Sequence, residues 1–188
     1  MRFDPIQHHR GSIRLQGYDY SSEGAYFVTI CTGGGQCLLG DVANAEMKLS
    51  RIGAIVRQCW LDLPNHFVNV TLDEYQAMPN HVHGIVVIWK NHRRDLINQI
   101  PTGVHDEYFV AQSDYPSMKN PKQTLGKIIR HFKAKATKKI HDTGFGDFAW
   151  QPRFHDHIIR DEEDLARSRE YIRANPLNRA TDDENPGI

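Results

Sequence analysis

The segment from Met78 to Ile88 constrains the fold more than any other part of the chain, because a turn-forming Pro-Asn pair precedes an apolar, β-branched run. Such a run predicts a strand in the interior of a sheet. Side chains alternate across a strand, so His81 and His83 would lie on one face, followed by Ile85 and Val87. Two imidazoles on one rigid face can supply two metal ligands. The same pattern also occurs as ordinary polar residues at a strand end.

The composition predicts a single globular domain spanning residues 1–188. The chain is 39% apolar and 24% charged, which excludes a disordered or fibrous protein. The 3 cysteines have no CxxC spacing, which argues against a zinc ribbon or a disulfide framework and favours a reducing cytoplasm. No run of signal-peptide or membrane-spanning type is present, so we expect a cytoplasmic protein without membrane contact.

Local patterns predict strands and helices along this domain. Strand-favouring residues run from Ala25 to Thr32 and from Phe67 to Met78, and the second run would form an antiparallel hairpin with the histidine strand. Apolar positions at helical spacing predict a helix that begins after Ser50 and ends at Pro64. Three segments fall outside these elements, a polar N-terminal arm at 1–24, a long insertion at 91–122 and an acidic tail at 177–188.

A further helix, predicted within 123–140, has a strongly cationic character. Between Lys119 and His141 every charged residue other than histidine is a lysine or an arginine, although the whole chain has a formal net charge of +0. A merely solvated helix face usually mixes both signs, so this one favours contact with a nucleic-acid backbone. The candidate DNA contacts are Arg10, Arg14, Lys127, Arg130, Lys133, Lys135, Arg153 and His157.

A second histidine pair, His155 and His157, lies in a predicted strand within 148–160, where Pro152 favours a bulge or a sheet edge. This pair competes with the first for a metal. The residue between its members is Asp156 rather than an apolar anchor. We therefore expect these two histidines to face solvent or a phosphate.

The last predicted helix lies within 161–175. Acidic residues occupy its first turn, where the helix dipole favours them, and Pro176 disfavours continuation beyond Asn175. Tyr171 and Asn175 are four residues apart and therefore lie on one side of the helix. Without further information, Tyr171 would be a half-buried packing residue and Asn175 a C-terminal cap.

In type and order these motifs resemble the IS200-like single-tyrosine transposases, and most closely the REP-associated tyrosine transposases. The resemblance extends from about Tyr18 to Pro176. Any one motif would be weak, but the combination is specific. The motifs are His81-Val82-His83 after Met78-Pro79-Asn80, then Phe132-Lys133, Trp150-Gln151, Ile158-Ile159-Arg160 and Tyr171 to Pro176.

The resemblance implies an α+β fold, a ferredoxin-like sandwich in which helices pack on one face of an antiparallel sheet. It further implies that His81, His83 and Asn175 hold a divalent ion. Two nitrogen ligands and one oxygen ligand suit Mn²⁺ and tolerate Mg²⁺. By the same resemblance, Tyr171 attacks a phosphodiester of single-stranded or hairpin DNA and leaves a 5′-phosphotyrosine link. Members of these families act as monomers or as dimers, so the resemblance is compatible with either a monomer or a homodimer.

Two other functions fit the same residues. The histidine pair could serve a metal-dependent phosphodiesterase that uses water, with Tyr171 merely packing. A ferredoxin-like sheet could also be a non-catalytic nucleic-acid-binding module, which would stack bases on aromatic side chains in the middle of a strand. The histidine strand offers imidazole and aliphatic side chains there, which argues against the module.

Overall fold

A computed structural model describes residues 14–89 and 123–177. Arg10, the start of the arm, the insertion at 91–122 and the tail from 178 onwards lie outside the described residues. The elements in chain order are β1 (Gly24–Cys31), β2 (Gly40–Ala43), β3 (Glu46–Leu49), α1 (Arg51–Leu61), α2 (Leu63–His66), β4 (Val70–Ala77), β5 (His81–Ile88), α3 (Leu125–His141), β6 (His155–Ile159) and α4 (Glu162–Ala174).

Four antiparallel strands form the main sheet in the order β4-β5-β1-β6. The elements β1, α1, β4, β5, α3 and β6 follow one another in the βαββαβ order of a ferredoxin-like sandwich. The predicted fold class and the hairpin of β4 with β5 are thus confirmed. A separate hairpin of β2 and β3 lies between β1 and α1 in the sequence.

The strand β5 is covered on both faces, which explains its apolar run. On one face Gly84 lies against Trp60 of α1, since a Cβ atom at this glycine would meet the indole at 2.3 Å. Trp60 in turn contacts Phe132 of α3 edge to face, with ring centroids 5.4 Å apart. The helices α1 and α3 therefore pack together on this face, and the main core lies beneath them.

The opposite face of β5 carries the histidines. His83 lies beside Thr29 of β1 in the sheet register, and α4 approaches from this side, because Tyr171 and Asn175 both contact the His83 ring. Arg169 of the same helix reaches β4. The last helix thus crosses to the side of the sheet that α1 and α3 leave open, and this placement forms the candidate site.

Local signals place the helix starts well. The side chains of Ser50, Thr124 and Asp161 each accept a hydrogen bond from a backbone N–H three residues on, and these three residues are the N-caps of α1, α3 and α4. One predicted end differs, because α1 stops at Leu61 and Pro64 lies in the first turn of the short helix α2. The predicted strand within 148–160 is also shorter, since β6 begins only at His155, and it is an edge strand as Pro152 suggests.

The described end of the arm packs on the core. Tyr20 is buried and meets Tyr18 edge to face at 5.1 Å. The guanidinium of Arg14 lies over the rings of Tyr20 and Phe154, at 5.3 and 4.9 Å from their centroids. In residues 14–89 and 123–177 no helix has the length and apolar character needed to span a bilayer.

Candidate active site

His81 and His83 lie side by side at the start of β5, and both are buried. Their Nε2 atoms are 3.0 Å apart. On the far side of each ring, Nδ1 is 2.9 Å from an oxygen, the Asn80 Oδ1 atom for His81 and the Thr29 Oγ1 atom for His83. Such bonds fix the orientation of each ring, so the two Nε2 atoms are held toward a common point.

The environment keeps His83 neutral. Burial, and next the neighbouring His81, lowers the pKa of His83 from 6.5 to about 3. The ring of Phe27 stacks on the imidazole with centroids 5.4 Å apart and contributes to that burial. Because only a deprotonated ring nitrogen binds a metal, His83 is in the ligand form at neutral pH.

The helix α4 brings Tyr171 and Asn175 to the same place. The Tyr171 ring meets those of His83 and Phe27 edge to face, at centroid distances of 5.2 and 5.9 Å. Asn175 is buried, and its Nδ2 atom is 3.3 Å from His83 Nε2. Tyr171 remains 48% exposed, so a substrate has access to it. All four residues predicted as nucleophile and ligands come together in one chain.

The donor set fits a divalent ion. A separation of 3.0 Å between the Nε2 atoms suits two adjacent ligands at a right angle with bonds of roughly 2.1 Å. The Oδ1 atom of Asn175 is buried without a hydrogen-bond partner, and a half turn of the amide would direct it toward the histidines. Within 14–89 and 123–177 no cluster of three or more His, Cys, Asp or Glu side chains could hold a metal. Among these residues, the Asn175 amide lies close enough to His83 to serve as a third ligand beside the histidine pair.

The second histidine pair lies apart from this cluster. His155 and His157 of β6 are exposed, and in the sheet register they pair with Thr29 and Phe27 of β1. They share the open face with the first pair, but β1 separates the two pairs. His157 Nε2 is 2.9 Å from a carboxylate oxygen of Asp164. The pair was expected to face solvent or a phosphate, and both side chains are exposed.

Two lysines among the candidate DNA contacts bind acceptors from other segments of the fold. The Lys133 ammonium donates to the backbone oxygens of Gln151 and Arg153, at 2.8 Å each, and its burial lowers the pKa of this lysine to about 8. The Lys135 ammonium binds the carboxylate of Asp62. These lysines join α3 to neighbouring segments, so part of the charge on this helix serves the fold.

The other candidates lie at different places on the surface. Lys127 and Arg130 are exposed on α3, on the side of the sheet away from the histidines, and Arg153 is exposed just before β6. Arg14 is half-buried in the arm, 3.8 Å from Asp156. The cationic candidates within 14–89 and 123–177 are therefore spread over the surface rather than gathered around Tyr171.

Sequence reasoning missed the groups that orient the histidines. Asn80 stands next to His81 in the chain, so its role was within reach of a local argument. Thr29 is distant in sequence and is brought to His83 only by the pairing of β1 with β5. No pattern in the sequence could have identified Thr29.

No protein-family model matches this chain. An uncharacterized protein of Haemophilus influenzae is 39% identical over 170 residues, which are 90% of this chain and 89% of that protein. A second H. influenzae protein, assigned to the REP-associated tyrosine transposases, is 31% identical over 161 residues, which are 85% of this chain and 73% of that protein. The solved structure of a REP-associated tyrosine transposase bound to a REP hairpin aligns with a TM-score of 0.55 at 17% identity, over 88% of this chain and 73% of that one.

These similarities agree with the site and the fold. The solved structure supports the ferredoxin-like architecture, while the assigned relative matches most of both sequences. In the structure Tyr171, from the last motif of the resemblance, lies beside the histidine pair of the first. The chain therefore belongs to the REP-associated tyrosine transposases, which are enzymes of the tyrosine transposase kind.

Proposed function

We propose that this protein cleaves and rejoins single-stranded DNA next to hairpins, with Tyr171 as the nucleophile. The observation that carries the proposal is the exposed Tyr171 ring, held 5.2 Å from the buried His83 ring within one chain. Family membership supports the same reaction class, and the related solved structure contains a REP hairpin. Hairpin DNA is accordingly the substrate to test first.

The proposed step exchanges one ester for another. The Tyr171 hydroxyl oxygen forms a bond to phosphorus while the bond from phosphorus to the 3′ oxygen breaks. The phenol proton is released to solvent, and the 3′ oxygen takes up a proton to become a hydroxyl. The resulting 5′-phosphotyrosine link retains the ester, so a 3′-hydroxyl can attack it and rejoin the strand. Attack by water would only degrade the DNA.

In this proposal His81, His83 and the Asn175 amide oxygen hold Mg²⁺ or Mn²⁺. When bound, the ion supplies neutralisation of phosphate charge and fixes the geometry of the scissile group. The chain itself prepares the ligands, because Thr29 and Asn80 orient the two rings and burial keeps His83 deprotonated. The unpartnered Asn175 Oδ1 atom supports the assignment of the third ligand.

Covalent trapping tests the nucleophile. The protein is incubated with a single-stranded hairpin oligonucleotide and Mn²⁺, then analysed under denaturing conditions. We expect a protein-DNA adduct that is absent in Tyr171→Phe and retained in the control Tyr18→Phe, whose half-buried ring lies in the arm. Cleaved DNA without an adduct would show a hydrolase that uses water. Hairpin binding without cleavage under any metal would show a non-catalytic module.

Metal titration tests the ligand set independently of cleavage. We expect Mn²⁺ binding to the unaltered protein by calorimetry, with large loss in His81→Ala, His83→Ala and Asn175→Ala. The matched control is His155→Ala, which removes an exposed imidazole of the competing pair. Loss of binding in His155→Ala, with binding retained in His83→Ala, would place the ion at the second pair instead.

A further inference from the structure

The strand β4 contains a β-bulge beside α4. Leu72 and Tyr75 pair with residues of β5 that are only two positions apart, although they themselves are three apart. One extra residue is therefore inserted in β4, and a bulge of this kind redirects side chains. The two residues of β5 concerned, Val86 and Gly84, face the core. Asp73 and Glu74 lie between Leu72 and Tyr75, so the bulge frees their side chains from the usual alternation between the two faces of the sheet.

Both released carboxylates bind arginines of α4. Asp73 forms a two-point pair with Arg169, with Nε to Oδ1 at 2.8 Å and Nη2 to Oδ2 at 2.6 Å. Glu74 binds the Arg173 guanidinium through Oε1. Asp73 Oδ1 also accepts the backbone N–H of Glu74 at 2.8 Å, so the bulge itself is held rigid. A two-point arginine pair fixes direction as well as distance.

The helix α4 buries few apolar side chains. Of its residues only Ile172 is buried, while Tyr171 is half exposed. Arg169 and Arg173 are one turn apart on the same side of the helix. Tyr171 lies between them in the sequence, so any rotation or sliding of α4 that moves the phenol must also break the pairs with β4.

From this geometry we infer that the β4 bulge positions Tyr171 against the histidine pair, with Asp73 and Arg169 as the principal positioning pair. Glu74 and Arg173, one helical turn after Arg169, hold α4 in the same position against β4. The inference rests on the proposed role of Tyr171 as nucleophile. Neither carboxylate touches the histidines, so their effect on the reaction would pass entirely through the placement of α4.

The test compares two arginines of one helix. Arg169→Gln removes the pair with β4, while the control Arg167→Gln removes a guanidinium that binds Glu163 of the same helix. In single-turnover adduct formation at saturating hairpin DNA, we expect Arg169→Gln to be slower by about tenfold or more, because small misplacements of a nucleophile are costly. The control keeps the normal rate. The dissociation constant for the DNA, measured in chelator, stays the same in both.

Two readouts separate positioning from general destabilisation. Hydrogen exchange in Arg169→Gln should accelerate in α4 and not in β1 or β5, and the double variant Asp73→Arg with Arg169→Asp should recover part of the rate. If Arg169→Gln does not fold, Arg169→Lys, which keeps the charge and loses the two-point geometry, should be slow. A normal rate in the folded variant overturns the positioning role alone. Absence of any adduct in the unaltered protein overturns the proposed function.

Discussion

Thr29 is the residue on which the orientation of His83 depends. Its hydroxyl is 2.9 Å from Nδ1 of the imidazole, and both groups are buried. Valine has nearly the same shape but cannot hydrogen-bond, so Thr29→Val removes the orienting contact and keeps the packing. Loss of a group that hydrogen-bonds to a metal-binding histidine typically weakens metal binding by about 10 to 100-fold.

We therefore expect weaker Mn²⁺ binding in Thr29→Val by titration calorimetry, with a small effect on the melting temperature. Thr71→Val is the matched control, because Thr71 is also on a strand but its hydroxyl binds Trp89 at an exposed place. Equal Mn²⁺ affinity in Thr29→Val and the unaltered protein would show that Thr29 does not support the proposed metal site.

His83 makes the fold sensitive to acid. Its folded pKa of about 3 lies below the ordinary value of 6.5, so the unfolded chain binds the proton first as the pH falls. The contribution of His83 to stability is therefore complete above about pH 6.5 and declines progressively toward pH 3. Between pH 7 and pH 5 the loss amounts to about 2 kcal/mol in the absence of metal.

Urea unfolding in chelator at several pH values measures this loss. His83→Gln should depend less on pH over the same interval, while the control His155→Gln, which removes an exposed histidine, should follow the unaltered protein. Identical pH dependence in all three proteins would contradict the neutral, buried state of His83.

At the scale of elements, local patterns in the sequence predicted the helices and the histidine strand. Features that depend on the pairing of distant segments were not predicted. Helical spacing located α1 and α3, with Ser50 as the predicted cap of α1, and the acidic first turn with Pro176 located α4. The apolar run located β5. The bulge at Asp73 was not predicted, because its one-residue shift is defined only by the pairing of β4 with β5. Similarly, charge counting treated Lys133 and Lys135 as DNA contacts, although both ammonium groups bind acceptors from other segments.

The helix α3 retains exposed positive charge away from the candidate site. Arg130 is exposed, and α3 packs against α1 on the face of the sheet opposite the histidines. A phosphate contact there would add affinity without depending on the metal. Arg130→Gln should therefore weaken hairpin binding across DNA sequences and reduce the slope of affinity against salt by about 1.

Filter binding at several salt concentrations gives this slope. The weakening should be the same factor with Mn²⁺ and with chelator, because distant sites act independently. Arg51→Gln, at the exposed start of α1, serves as the control and should leave affinity and slope unchanged. If Arg130→Gln also leaves both unchanged, Arg130 makes no phosphate contact.

At the scale of the whole molecule, the candidate site depends on topology. Tyr171 and His83 are far apart in the chain, and they meet because β5 lies inside the sheet and α4 crosses its open face. The residue types were visible in the sequence, and the family resemblance indicated which of them act together. Spacing alone predicted Tyr171 as a packing residue and Asn175 as the C-cap, which Asn175 is in the structure. It did not predict their contacts with His83, since nothing local connects α4 with β5.

The contacts of Tyr171 and Asn175 with His83 form within one chain. This predicts that the proposed nucleophile and the proposed ligands of one site need no second copy. Mixing Tyr171→Phe with His83→Ala tests this prediction, because each variant retains what the other lacks. If α4 packs on the sheet of its own chain, no site in the mixture is complete and no covalent adduct with hairpin DNA forms. If two copies exchanged α4, half of the dimers in an equimolar mixture would be mixed, and each would contain one complete site. Adduct at about a quarter of the normal level would then contradict assembly within one chain.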